Sequence, residues 1–189
     1  MQYKIAVSGS ANNNCSRGAF KKAHEVGRQI GLHGAVLVTG ATIGVPEWAT
    51  RGIKAVGGVS IGLSPAVSKQ AHVHTYKLPT RYMDLIIYTG FDYSGRNMLM
   101  TRASDAVIVI CGRIGTLNEF TTAFEDKRVV GVLTGTGGVE EDIDHILKLA
   151  KRGRKRIVFD DDPKSLVEKV IKHIRENDKQ KHLKWQEAS

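Results

Sequence analysis

Asp105-Ala-Val-Ile-Val-Ile-Cys-Gly-Arg-Ile-Gly-Thr-Leu-Asn-Glu-Phe120 decides how this chain folds. Asp105 to Cys111 is a short apolar run rich in β-branched residues, which reads as a strand covered on both faces, as in a parallel sheet. Gly112 and Gly115 then allow a tight turn, and Thr116 is placed to cap a helix running on through Phe120 and Phe124. A strand, a glycine turn and a helix start together make an anion site. The first helical amides lack intrahelical partners, and the helix dipole favours negative charge there.

The same alternation extends in both directions. Strands are expected over 3–8, 35–39, 59–63, 84–89, 129–133 and 156–159, with helices between most of them. Gly9 and Ser10 follow the first strand, opening the polar turn that runs to Asn14. Gly40 and Gly44 bound the turn after the second, and Pro46 suits the first turn of the next helix. A short helix is expected around 96–102, and Asp160-Asp-Asp-Pro163 starts the final helix, with fraying expected after Asn177. Strands alternating with helices of this length predict an α/β fold: one three-layer domain with a mostly parallel sheet of about seven strands. Residues 1–178 form that domain and 179–189 a polar, frayed tail. Ligands belong at the carboxyl ends of the strands.

Bulk properties narrow the class. Apolar content of 41% and charged content of 25% fit an ordinary globular protein, and no apolar run approaches the roughly 20 residues that span a membrane. The net charge of +9 is uneven, with +6 in the last 42 residues and Lys151-Arg-Gly-Arg-Lys-Arg156 the densest run. No aromatic stacking platform is interleaved with it, so a solvated face is expected and no nucleic-acid partner. Two cysteines, Cys15 and Cys111, are too few for a disulfide framework, and the expected compartment is the reducing cytoplasm. Cys111, ending an apolar strand, reads as inert. Cys15, near a helix start, is the one whose pKa could be lowered.

The absence of G-x-G-x-x-G in the first turn and of G-x-x-x-x-G-K-[ST] anywhere disfavours classical NAD binding and P-loop hydrolysis. His72-Val-His74 has no cysteine or clear carboxylate partner, so no metal site is expected. Thr116-Leu-Asn-Glu119 fits a capping box, in which Glu119 only binds the Thr116 amide. The functional alternative is a carboxylate facing the pocket above the strands. Arg96, beside Ser94-Gly95, is either an exposed arginine or a phosphate ligand holding two oxygens at once.

Arg96-Asn-Met-Leu-Met100, Ser104-Asp105-Ala and Cys111-Gly-Arg-Ile-Gly-Thr-Leu-Asn-Glu119 together resemble the LOG (Lonely guy) family, which pairs R-K-x-x-M with P-G-G-x-G-T-x-x-E. Val38-Thr-Gly-Ala-Thr-Ile-Gly44 and Gly57-Gly-Val-Ser-Ile-Gly62 extend the resemblance, which covers roughly residues 3–135. It implies a Rossmann-like sheet, a homodimer, and cleavage of the N-glycosidic bond of nucleoside 5′-monophosphates to base and ribose 5-phosphate. Arg96 and Glu119 would then be catalytic. Gly112, Gly115 and Thr116 would hold phosphate, with Gly9, Ser10, Gly40, Gly44 and Arg113 completing the nucleotide site. No cofactor is implied. Some family members are labelled lysine decarboxylases, but no motif here places a lysine as a pyridoxal-phosphate anchor.

Three positions depart from the pattern: Cys111 stands for proline, Arg113 for the second glycine, and Asn97 for lysine. Arg96-Asn97, and Glu47 in Gly44-Val-Pro-Glu47, are closer to the related molybdenum-cofactor carrier proteins, which bind a phosphorylated pterin. Two readings follow. One is a phosphoribohydrolase, and the other a non-catalytic binder or carrier of a nucleotide or phosphorylated pterin.

Overall fold

A computed structural model describes residues 2–11 and 15–187, with side chains described through residue 180. The asparagines of the expected turn at 12–14 lie outside the described residues. In chain order the elements are β1 (Lys4–Gly9), α1 (Ala19–Leu32), β2 (Val36–Thr39), α2 (Val45–Lys54), β3 (Ser60–Ser64), β4 (Leu85–Tyr88), α3 (Asp92–Ala103), β5 (Ala106–Ile110), α4 (Ile114–Glu125), β6 (Val129–Leu133), α5 (Ile143–Ala150), β7 (Ile157–Asp160) and α6 (Pro163–Glu187). A single turn of π-helix, Ala71–Thr75, interrupts the irregular stretch after β3, and a 3₁₀ turn, Gly138–Asp142, precedes α5.

The seven strands form one all-parallel sheet in the order β4-β3-β2-β1-β5-β6-β7. Register runs Ile5↔Ala106 between β1 and β5, and Ala106↔Val129 between β5 and β6. Every residue of β5 is buried, because the sheet is covered on both sides. Ala106, Ile108 and Ile110 pack with α1, α2 and α6 residues such as Ile30, Ile53 and Leu166. Val107 and Val109 pack on the other face with Met100, Phe120 and Leu147 from α3, α4 and α5. A β-branched run buried on both sides is what the opening stretch predicts.

Helices α1 and α2 approach until their backbones touch. A Cβ on Gly27 would collide with the Ala49 carbonyl, and one on Gly52 with the His24 carbonyl. That contact packs α1 and α2 together under β1 and β2. Strand order reverses between β1 and β5, where successive connections go opposite ways. The connections leaving the carboxyl ends of these two paired strands therefore diverge and leave a crevice.

Three local expectations need correction. Helix α3 begins at Asp92 rather than beside Arg96, so Arg96 sits inside the helix with its side chain buried. Helix α4 begins at Ile114, with Arg113 at the N-cap, so Thr116 does not cap it and the Thr116–Glu119 capping box does not form. Cys15 and Cys111 are joined in a disulfide, with Cα atoms 5.7 Å apart. The count of two was read as excluding a framework, yet one bridge needs only two cysteines. The ground for a reducing compartment goes with it. No helix among the described residues is long and apolar enough to cross a membrane. Helix α6 continues ten residues past Asn177.

Candidate functional site

A cleft of about 200 Å³ opens at the switch point. Its walls are the turn after β1 (Ser8, Gly9, Ser10, Ala11), the turn after β2 (Gly40, Thr42), the start of α2 (Pro46), the buried side of α3 (Tyr93, Arg96, Asn97) and the start of α4 (Arg113, Gly115, Thr116, Glu119). Eight of the ten residues singled out in the sequence therefore line one cavity. The other two, Gly44 and Gly112, lie behind the walls. A Cβ on Gly44 would strike the Ser10 carbonyl, and one on Gly112 would strike the Thr116 side chain. Both have positive φ, +77° and +96°, which only glycine adopts without strain.

The floor is a buried ion pair. Arg96 Nη1 donates to Glu119 Oε1 at 3.0 Å, and Ser8 Oγ donates to Glu119 Oε2. Arg96 is 5% exposed and Glu119 6%. Both carboxylate oxygens are thus occupied, one by a strand hydroxyl and one by a helix guanidinium. Burial pushes the Glu119 carboxyl up, opposed by the Arg96 charge and the Ser8 hydroxyl. Burial lowers Arg96, opposed by Glu119, yet a guanidinium keeps its proton at any physiological pH. Arg96 Nε is buried and has no hydrogen-bond partner among the described residues. Such an orphan donor costs free energy unless something else satisfies it.

The neighbouring residues explain why the arginine lies where it does. A Cβ on Gly40 would collide with the guanidinium, so the glycine makes its berth. Met100 Sδ, one turn along α3, lies 3.8 Å from Nη1, and the Tyr93 ring is centred 6.0 Å from Cζ. Asn97 Nδ2 donates to Asn118 Oδ1 at 3.2 Å and locks α3 to α4 beside the pair.

The rim differs in character. Arg113 is exposed, with extended backbone (φ −138°), and no side chain caps α4. A Cβ added at Gly115 would meet nothing within 4 Å, so the helix surface here is bare. The first amides of α4, an exposed cation at the rim and a buried cation on the floor surround one cavity. This is the chemistry of an anion site with a second, deeper contact.

Ser8 and Tyr93 were missed in the sequence. Ser8 carried a faint signal, a hydroxyl one residue from the carboxyl end of a buried strand. Tyr93 carried none, because its i, i+3 relation to Arg96 shows only once α3 is known to start at Asp92. Glu47, noted from sequence, is buried outside the cleft, where its Oε1 accepts from Arg51 and Arg81 at 2.8 and 2.9 Å. His72 is fully buried, with Nδ1 sharing a hydrogen bond with Ser64 Oγ and Nε2 facing the Pro79 carbonyl at 2.9 Å. Both ring nitrogens are therefore engaged, and the residue packs in the interior. Among the described residues no group of three or more His, Cys, Asp or Glu side chains is placed to hold a metal ion.

An all-parallel doubly wound sheet with a cleft at its switch point defines a Rossmann-like α/β protein. Within that class the chain belongs to the SLOG cluster4 family, whose model matches residues 2–167. The LOG-like resemblance read from the motifs therefore holds at the level of the superfamily. The chain is 30% identical over 130 residues to an uncharacterised protein of Archaeoglobus fulgidus, spanning 68% of this chain and 79% of that one. Among solved structures it is similar to the molybdenum cofactor binding protein of Rippkaea orientalis (26% identity, TM-score 0.77, covering 92% of this chain and 98% of that one). It shares the fold of the molybdenum cofactor carrier protein of Chlamydomonas reinhardtii (24% identity, TM-score 0.74, covering 93% and 99%).

Proposed function

We propose that this protein binds a phosphorylated small molecule in the switch-point cleft, as a carrier or binding protein for a phosphorylated pterin of the molybdenum-cofactor type or a nucleoside 5′-monophosphate. The observation that carries the reading is the engagement of Glu119. With one oxygen on Ser8 and the other on Arg96, the carboxylate neutralises the buried guanidinium and is not held free for water. The remaining donors, Arg96 Nε, the first amides of α4 and the Arg113 side chain, suit an anionic ligand. The likeness to molybdenum cofactor binding proteins supports the same choice. When bound, the metal-bearing group would be cargo, held through its phosphate.

A second reading is favoured by one specific feature: the Glu119 carboxyl lines the cleft. In a phosphoribohydrolase its charge would stabilise the cation developing on the ribose as the glycosidic bond breaks. Arg96 would position the sugar through the phosphate.

Thermal unfolding with AMP, adenosine and inorganic phosphate, together with chromatography of the AMP, separates the two. AMP and phosphate should stabilise the protein, by about 2.7 kcal/mol at 100 times the dissociation constant, and adenosine should not. Recovery of intact AMP supports the binding protein. Release of adenine, abolished by Glu119→Gln, would replace it with the hydrolase. Equal stabilisation by AMP and adenosine would remove the phosphate site.

We also propose that the protein is a homodimer through its β4 edge. Strand β4 ends the sheet and exposes Leu85 and Ile87, with Val67 and Phe91 exposed nearby in the sequence. Unpaired edge strands with apolar faces are rarely left open, and a two-fold partner would cover both copies at once. Light scattering should give twice the 20.7 kDa chain mass, and Ile87→Lys should return it to one.

A further inference from the structure

Cys15 and Cys111 lie 96 residues apart in sequence and are bonded to each other, and Cys111 directly precedes Gly112, behind the wall of the cleft. Cys111 is the residue between β5 and Gly112, fully buried, with a left-handed backbone (φ +56°). Cys15 is half-buried and stands four residues beyond Ala11, which lines the cleft. The disulfide therefore joins the segment that follows β1 to the residue that follows β5.

A third turn frames them. Cys111 N–H donates to Thr136 Oγ1 at 2.8 Å, and Ser16 N–H donates to the Thr136 carbonyl at 2.9 Å. Ser16 Oγ donates to the Gly135 carbonyl at 2.9 Å, and Val139 N–H donates to the Gly112 carbonyl at 3.0 Å. Each cysteine turn is thus hydrogen-bonded independently to the turn after β6. The frame survives without the sulfur bridge, but the direct link between the two cleft turns does not.

We infer that Cys15–Cys111 is a reversible redox clamp on the ligand cleft. Oxidised, it fixes the β1 and β5 turns against each other and preorganises the cleft. Reduced, it leaves them tied through the β6 turn and the β1–β5 pairing alone among the described residues, and ligand is held more weakly. This inference rests on the reading of the cleft as an anion-binding site.

The chemistry balances with a dithiol reductant. Its thiolate attacks Cys15 Sγ, the more exposed sulfur, and the Sγ–Sγ bond breaks. Cys111 leaves with the electron pair and takes a proton from solvent. The second reductant thiol then closes the reductant's own disulfide and releases the Cys15 thiol. Two electrons and two protons pass to the protein.

The test uses the full chain with and without dithiothreitol, and Cys15→Ser as a permanently open form. Two measurements are made on each: AMP affinity by calorimetry, and amide hydrogen exchange at residues 15–16 and 112–116. Reduction should weaken AMP binding by roughly threefold to tenfold, the scale of losing preorganisation at a few groups. It should also speed exchange at those amides and leave Val107–Val109 unchanged. Cys15→Ser should match the reduced protein and ignore the reductant. Unchanged exchange and affinity on reduction would overturn the clamp, as would a bridge that reduces only when the whole chain unfolds. If AMP binds in neither state, the anion-site reading fails by itself, and the exchange data still decide whether the bridge controls these turns.

Discussion

Two helices of this protein start alike in sequence, after a strand and a tight turn, and they end up in opposite chemical states. Helix α6 is closed. Asp162 Oδ1 accepts the Ser165 amide at 2.7 Å in N-cap geometry, Pro163 fills the first helical position, and Asp160 holds the Asp162 amide, the Ser165 hydroxyl and Lys169. Helix α4 is open. Its N-cap is Arg113, which offers a cation where a cap offers an acceptor, and no side chain caps it. The closed start stabilises the fold. The open one leaves its donors for a ligand, above a floor where two charges have been taken out of water. A capped helix start is a finished structural unit, whereas the uncapped start over a buried arginine is the feature on which the proposed anion site rests.

The comparison breaks most visibly at the floor. Arg96→Met should leave Glu119 buried beside Ser8 without its counter-charge and destabilise the protein by about 3–5 kcal/mol near pH 8. The sign of the pH dependence follows from Glu119, whose carboxyl is raised by burial. Its favourable contribution is present below the unfolded value of about 4.3 and is lost as pH rises through the folded value. Without Arg96 the folded value rises further. The deficit should therefore shrink as pH falls toward 5, as urea unfolding at several pH values will show. A deficit independent of pH would mean that packing, not charge, is what the substitution removed.

The second test converts the open start into a closed one. Position 113 already has the extended backbone of an N-cap, so Arg113→Asp supplies an acceptor three residues before the Thr116 amide. Stability should hold or rise by up to about 1 kcal/mol. Phosphate or AMP affinity should fall by tenfold or more, since a cation is lost and an anion now competes for the amides. Unchanged affinity, read by calorimetry, would separate Arg113 and the α4 amides from the ligand.

The reverse change opens the closed start. Asp162→Ala should destabilise by about 1 kcal/mol in urea unfolding and leave anion binding untouched. A loss of AMP affinity would show that α6 belongs to the site after all. The smallest effect concerns acid. Lys169 and the Ser165 hydroxyl hold the Asp160 carboxyl well below the usual carboxylate range. A depressed group contributes above its unfolded value of about 3.9 and loses that contribution as pH falls through its folded value. Asp160→Asn should therefore cost most stability at pH 7 and progressively less as pH falls from about 3.9 toward 2. A uniform loss across that range would mean that the hydrogen bonds, not the charge, matter.

How much of this could be read in advance depended on how far each feature reaches along the chain. The strands were legible because β-branched runs such as Ala106–Ile110 report burial on both faces whatever their neighbours are. The closed start of α6 was legible because Asp160-Asp-Asp-Pro163 is a contiguous signal. The open start was misread for the same local reason. Thr116 and Glu119 have capping-box spacing, and nothing in the sequence shows that the helix begins two residues earlier, at Ile114.

The sequence by itself determined the parallel α/β class, the glycine turns at the strand ends, and the resemblance that singled out Arg96 and Glu119. The tertiary structure alone decided what those residues do to each other. Arg96 meets Glu119 across 23 residues, Ser8 meets Glu119 across 111, and Cys15 meets Cys111 across 96. These contacts exist because β5 returns beside β1, so that two distant turns share one crevice. Gly40 then leaves the space in which the guanidinium lies. Local patterns fix the elements through backbone preference and burial. The partners of a buried charge are fixed by strand order, which no short stretch of sequence contains.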